Sequence, residues 1–97
     1  LHIKAGQALS VQYHNQKDET IYLLSGEMTY RVGAEGDPTS EMREIALRAG
    51  ESYRNTPGTV HQMEAVTDCD VLEASTPHLD DVVRLSDKYG REGTSSP

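Results

Sequence analysis

Four side chains with metal-donor atoms stand out by their type and spacing: Gln12, His14, Glu19 and His61. Gln12 and His14 lie two positions apart, so on a β-strand they point to the same face. A hairpin turn through residues 15–18 can fold Glu19 back beside them. His61 follows a Thr-Pro-Gly turn much later in the chain and would lie on another strand. The pattern predicts a four-ligand site for one divalent metal ion, and such mixed nitrogen and oxygen ligation suits Zn²⁺, Fe²⁺, Mn²⁺ or Ni²⁺.

The composition limits the class of protein and of partner. The 97 residues suffice for one domain with a modest core, and 35% of them are hydrophobic, with no Trp or Phe. A net charge of −7 argues against nucleic acid or an anionic membrane as the main partner. The single cysteine, Cys69, excludes an internal disulfide and predicts a reducing, cytoplasmic compartment. No signal peptide or membrane-length apolar run is visible, although a leader removed before Leu1 stays open.

The remainder of the chain has the pattern of short strands separated by turns that contain Gly or Pro. Strands are expected near residues 1–5, 8–14, 19–25, 28–32, 59–66 and 71–75. The stretch 41–49 fits either helix or strand, and its position after a hairpin favours strand. This organisation predicts an all-β, antiparallel sandwich or barrel.

Alternation along the strand that Glu19 opens predicts which side chains face the core. Ile21 and Leu23 share the inner face with Glu19, whereas Tyr22 and Leu24 point the other way. Two apolar side chains on a face that should be wet suggest that another subunit covers it, which predicts a homodimer. Isolated surface hydrophobes are the alternative interpretation.

The first group of site residues resembles the first motif of the cupin superfamily. That motif reads Gly, five residues, His-x-His, three or four residues, Glu, six residues, Gly. His14, Glu19 and Gly26 match it, with Gln12 at the position of the first His. Gly6 leads the motif, with one residue more than the usual spacing.

The second group resembles the second cupin motif, which reads Gly, five residues, Pro-x-Gly, two residues, His. Gly50, Gly58 and His61 fit this spacing. The resemblance implies a double-stranded β-helix, the cupin jelly-roll barrel, as a single domain over residues 1–89. Residues 90–97 are polar and are expected to form a disordered tail.

Two longer stretches resemble type II phosphomannose isomerases. Residues 10–14 read Ser-Val-Gln-Tyr-His, close to that family's Ser-Leu-Gln-x-His. Residues 80–91 read Asp-Asp-Val-Val-Arg-Leu-Ser-Asp-Lys-Tyr-Gly-Arg, close to its C-terminal sequence. The resemblance implies zinc bound by the Gln-His-Glu-His set. It also implies isomerisation or epimerisation of a carbohydrate-like small molecule, a sugar or sugar phosphate.

Two side chains are candidates for moving protons in such a reaction, Lys17 and Glu73. Lys17 replaces an arginine of the isomerases near the pocket, and Glu73 lies on a strand that could face the lumen. A solvated turn lysine and a surface glutamate are the alternative interpretations. Arg84, in the C-terminal stretch, is expected to tie the tail by ion pairs to neighbouring aspartates.

Other functions remain open at this stage. His14, Glu19 and His61 alone form the two-His-one-carboxylate set of non-haem iron oxygenases. The second hypothesis is therefore a metal-dependent dioxygenase or lyase acting on a small organic acid. The third is a cupin that binds or senses a ligand without turnover, because a fold does not fix a function.

Overall fold

The computed structural model describes residues 1–78 and 80–86, together with the backbone of residues 93–94, and within these residues all regular secondary structure is β-strand. The strands are β1 (His2–Ile3), β2 (Val11–Tyr13), β3 (Glu19–Ser25), β4 (Glu27–Val32), β5 (Arg43–Arg48), β6 (Ser52–Asn55), β7 (His61–Ala65), β8 (Cys69–Ser75), β9 (Val83–Ser86) and β10 (Gly93–Thr94). The ambiguous stretch 41–49 thus contains a strand, as its position after a hairpin favoured.

The strands form two antiparallel sheets that enclose one core. The four-stranded sheet has the order β1-β8-β3-β6, and the six-stranded sheet has the order β10-β9-β2-β7-β4-β5. Strands distant in sequence are neighbours because the chain crosses repeatedly from one sheet to the other. This topology confirms the predicted all-β fold, a double-stranded β-helix.

Alternating side chains explain how the barrel closes on its core. In β4, Met28, Tyr30 and Val32 are buried, whereas the residues between them are partly or fully exposed. Ile21 and Leu23 of β3 complete the interior from the other sheet. Each fully buried aliphatic side chain of this kind stabilises the fold by about 1.5–3 kcal/mol. With no Trp or Phe in the sequence, Tyr30 is the largest fully buried side chain among the described residues.

The opposite face of β3 carries the apolar side chains that the alternation predicted. Tyr22 is 40% exposed and Leu24 is 59% exposed, and Leu72 of β8, directly opposite Tyr22, is 54% exposed. The predicted orientation of this strand is therefore confirmed. The homodimer inferred from the same residues remains a prediction.

Replacing Gly26 by Ala should destabilise the fold strongly, by about 2–3 kcal/mol. Gly26 joins β3 to β4 with φ +93°, a left-handed conformation that costs an L-residue energy. A Cβ there would also overlap the carbonyl oxygen of Asp68, so the backbone would have to move. Urea unfolding of the two proteins measures the difference.

Gly50 provides the matched control, since its φ of +92° is nearly the same and a Cβ there would meet no atom within 4 Å. Gly50→Ala should therefore cost only the backbone strain, about 1–2 kcal/mol. Equal losses in the two variants would mean that the close approach to Asp68 is unimportant.

Two further expectations concern the chain end and membranes. The tail of residues 90–97 and the domain boundary at residue 89 lie outside the described residues, except for Gly93–Thr94, whose backbone pairs with Val83 and Arg84. Within the described residues, no helix is long and apolar enough to span a membrane.

Candidate metal centre

Three of the predicted ligands converge at one end of the barrel. His14 follows β2, Glu19 opens β3 and His61 opens β7. Since β2 and β7 belong to the six-stranded sheet and β3 to the other, Glu19 faces both imidazoles across the interior. Donor atoms of the three side chains all lie within 4.8 Å of one another. Each side chain thus reaches the same point from a different strand end.

The cluster is buried and closely spaced. Glu19 Oε1 lies 3.2 Å from His14 Nε2 and 3.4 Å from His61 Nε2. The side chains of these residues are only 1–3% exposed. They are excluded from solvent because Glu19, Asn55 and both imidazoles pack directly against one another.

Backbone carbonyl groups fix the orientation of both imidazoles. His14 Nδ1 donates to the carbonyl oxygen of Asp81, and His61 Nδ1 donates to that of Thr59 at 3.0 Å. A carbonyl oxygen can only accept, so each Nδ1 must carry a proton. This hydrogen bond turns each Nε2 toward Glu19. Metal-binding histidines are commonly oriented in this way, because their other ring N–H donates to a carbonyl or carboxylate oxygen.

This arrangement fits a bound cation. With Nδ1 protonated, a neutral imidazole offers the lone pair of Nε2, and a carboxylate offers only lone pairs. His61 Nε2 is buried and makes no hydrogen bond within the described residues. Three acceptors pointing at one space are mutually repulsive unless a positive charge lies between them. Two imidazoles and one carboxylate at these distances can bind Zn²⁺ or another divalent transition metal ion.

The electrostatics of Glu19 favour its ionised form. Burial would raise the pKa of this carboxyl group, but hydrogen bonds and positive charge from His14 and His61, whose rings carry an Nε2 proton where no metal ion is bound, outweigh burial and hold the pKa well below its usual range. Glu19 is therefore a carboxylate at neutral pH, the form that binds a metal ion.

A buried polar chain supports Glu19 from the neighbouring strand. Asn55 lies opposite Glu19 in the register of β6 with β3, and its Nδ2 donates to Glu19 Oε1 at 3.3 Å. The hydroxyl of Tyr30 in turn donates to Asn55 Oδ1. Asn55 is fully buried and was not singled out from the sequence, because its partner lies 36 residues away.

Lys17, one of the two predicted proton carriers, reaches the cluster. Its Nζ lies 3.3 Å from Glu19 Oε2, and its side chain is only 10% exposed. The alternative interpretation, a solvated lysine in the turn, is therefore wrong, because the Lys17 side chain is buried. Lys17 neutralises the carboxylate oxygen that the imidazoles leave uncontacted.

Gln12, the predicted amide ligand, lies beside the cluster. It pairs with His61 on one side and with Arg84 on the other, so all three side chains share the inner face of the sheet. Its Oε1 accepts a hydrogen bond from the Ser10 hydroxyl at 2.7 Å. The amide oxygen has a second lone pair for a metal ion, and its role as a ligand remains a prediction.

Hydrogen bonds to Asp81 connect the C-terminal segment to the turn between His14 and Glu19. Its carboxylate accepts the backbone N–H groups of residues 15, 16 and 17 at 2.5 to 2.9 Å. Its own carbonyl oxygen holds the His14 ring. Burial would raise the pKa of Asp81, but these N–H donors lower it to about 2. One residue thus positions both a ligand and the turn that leads to the next ligand.

Glu73, the other predicted proton carrier, lies apart from this cluster. Its pairing with Ile21 assigns it to the inner face, as expected, but its side chain is exposed. Its predicted role as a base gains no support from this position.

The fold and site define a small double-sheet β-barrel with a buried cluster of two imidazoles and a carboxylate. Residues 1–75 match the Cupin domain family. The chain therefore belongs to the cupins, and the predicted superfamily is confirmed. No curated protein matches this chain.

Solved structures show the same fold. The capsular polysaccharide assembling protein CapF from Staphylococcus aureus is 22% identical, with a TM-score of 0.72 over 88% of this chain and 25% of CapF. The protein TT1209 from Thermus thermophilus is 27% identical, with a TM-score of 0.64 over 78% of this chain and 67% of TT1209. An oxalate oxidase is 20% identical, with a TM-score of 0.64 over 76% of this chain and 37% of the oxidase. This chain thus spans about a quarter of CapF.

Proposed function

We propose that this cupin is a metal-dependent enzyme that isomerises or epimerises a sugar or sugar phosphate. His14, Glu19 and His61 hold one divalent ion, most simply Zn²⁺, with Gln12 as the fourth ligand. The observation that carries the proposal is the convergence of two oriented Nε2 atoms on one buried, ionised carboxylate. The resemblance of residues 10–14 and 80–91 to phosphomannose isomerases supports the choice of reaction.

The chain supplies groups for the remaining tasks of such a reaction. When bound, the metal ion would polarise the carbonyl and the adjacent hydroxyl of the sugar. The ammonium group of Lys17 contacts one oxygen of Glu19, whereas Glu73 is exposed. Lys17 is therefore the better-supported of the two proton carriers.

Arg84 is suited to hold an anionic group of the substrate. It lies next to Gln12 on the inner face of the sheet, and its Nε is buried without a hydrogen-bond partner in the described residues. Within those residues it forms no ion pair with Asp80 or Asp81, and Asp87, the third expected partner, lies outside the described residues. A buried donor left without a partner is costly unless a ligand engages it.

A dioxygenase reaction is the second candidate, and one observation favours it. Ser10 already occupies one lone pair of the Gln12 amide oxygen, which leaves His14, Glu19 and His61 as the strongest ligands. That set is the one typical of non-haem iron oxygenases. The similar fold of an oxalate oxidase agrees with redox chemistry in such a barrel.

Elemental analysis of the purified protein, followed by activity assays, tests these proposals. Zinc near one ion per chain, with interconversion of aldose and ketose phosphates, is the expected result. Lys17→Met should lower turnover at least tenfold, whereas Lys4→Met, at an exposed lysine, should not. Iron with oxygen uptake would overturn the isomerase proposal. Folding unchanged in chelator, with no bound metal, would leave a binding protein without turnover.

A further inference from the structure

A polar cavity lies where the edges of the two sheets meet, outside the metal cluster. It has a volume of about 370 Å³ and lies between β5, β6 and the loop after β4. Its lining includes Arg43, Tyr53, Arg54, Thr56, Thr59 and Glu35. Cavities of this size accept small organic molecules.

Side chains separate this cavity from the cluster. The Tyr53 ring packs against the Tyr30 ring with centroids 4.9 Å apart, and Tyr30 in turn lies against His61. None of the three clustered ligands lines the cavity. Thr59 belongs to both places, because its carbonyl oxygen orients His61 and its side chain lines the cavity.

Arg43 and Tyr53 form a pair of donors at one side of the cavity. Arg43 Nη2 donates to the Tyr53 hydroxyl oxygen at 3.1 Å, so the hydroxyl proton remains available for another acceptor. The other N–H groups of the guanidinium can donate in the same direction, the fork that suits a carboxylate.

The charges around the cavity limit the ligand to a single negative charge. Asp18 binds Arg54 through both carboxylate oxygens, at 3.0 and 2.6 Å, and Glu35 lies in the lining near Arg54. Arg43 forms no ion pair within residues 1–78 and 80–86. The guanidinium of Arg43 is thus left to bind a ligand. A second negative charge on that ligand would be repelled by Glu35.

We propose that this cavity binds a small monocarboxylate, with its carboxylate on Arg43 and the Tyr53 hydroxyl. The site goes beyond the proposed metal chemistry and does not depend on it. A ligand there would contact the side chain of Thr59, the residue whose carbonyl oxygen orients His61.

Titration of the full chain with propionate, followed by backbone amide shifts in nuclear magnetic resonance spectra, tests the proposal. The titration is run with chelator and again with bound metal, since a carboxylate could otherwise bind the ion. Propionamide provides the uncharged probe, and inorganic phosphate at pH 8 the doubly charged one. Arg43→Gln is the variant, and Arg48→Gln, at an exposed arginine of the same strand, changes the net charge equally.

Saturable shifts at residues 33–36 and 58–59, independent of metal and weakened at least tenfold by Arg43→Gln but not by Arg48→Gln, are expected. Tyr53→Phe should weaken binding severalfold without changing the fold. Equal weakening by both arginine variants, tighter binding of phosphate or propionamide, or no saturable shift would overturn the proposal. Shifts that vanish with chelator would assign the carboxylate to the metal centre instead, which also overturns it.

Discussion

Replacing His61 by Ala should abolish tight metal binding, with an affinity loss of at least about a thousandfold, or ~4 kcal/mol. The variant removes one of three donors that lie within 4.8 Å of one another. It leaves only His14 and Glu19 as strong ligands, with the Gln12 amide as a weaker third, which is too few to hold a divalent ion tightly. The thermal signature is large, because metal at a hundred times its Kd stabilises the native chain by about 2.7 kcal/mol. For a domain of this size that is a rise in Tm of about 10 °C or more.

The measurement is competition with a chromogenic chelator, together with thermal unfolding with and without Zn²⁺. The variant should show no metal-dependent change in Tm. His2→Ala is the matched control, since His2 is exposed and pairs only with Asp70 among the described side chains. A His61→Ala protein that keeps full metal occupancy would show that the ligand assignment is wrong.

The metal-free variant should remain folded, with a lower free energy of unfolding. His61 is 1% exposed and bonded to Thr59, so its loss leaves a void and an unpaired carbonyl group. A cost of about 1–3 kcal/mol is expected for such a change. His61→Gln fills more of the space and separates loss of the ligand from loss of packing.

Replacing Asp81 by Ala should lower stability by about 3 kcal/mol and metal affinity by about tenfold. The carboxylate accepts three backbone N–H groups of the turn before Glu19, and each hydrogen bond to a charged group contributes about 1.5–3 kcal/mol before exposure is discounted. Urea unfolding and chelator competition measure the two losses. Asp80→Ala, at the exposed neighbour, should change neither by more than about 0.5 kcal/mol.

The same carboxylate predicts a pH dependence. The native pKa of Asp81, about 2, lies below its ordinary value of 3.8, so its contribution is complete above the unfolded pKa. The contribution should disappear as the pH falls from about 4 toward 2. Asp81→Asn should therefore flatten this part of the stability profile, and identical acid profiles for the two proteins would contradict the role of the carboxylate.

The sequence predicted the parts of the site that depend on local spacing. Strand alternation and a short turn bring His14 and Glu19 together. These are consequences of a two-residue period and a hairpin, which a sequence displays directly.

The supporting contacts could not be predicted in this way. Asn55 and Asp81 reach the site across 36 and 67 residues of chain, and only the crossing of strands between sheets makes them neighbours. Glu73 shows the converse limit, because its inner-face position follows from alternation, whereas its exposure does not.

The hydrogen bond between His14 and the carbonyl oxygen of Asp81 has a consequence for the newly made chain. Both imidazoles and Glu19 are synthesised well before residue 81. The ring of His14, however, acquires its fixed orientation only when it can donate to the carbonyl oxygen of Asp81. A nascent polypeptide that still lacks this segment can carry all three donors without presenting them together. Capture of the ion should therefore wait until residue 81 has emerged from the ribosome, although all three donors emerge earlier.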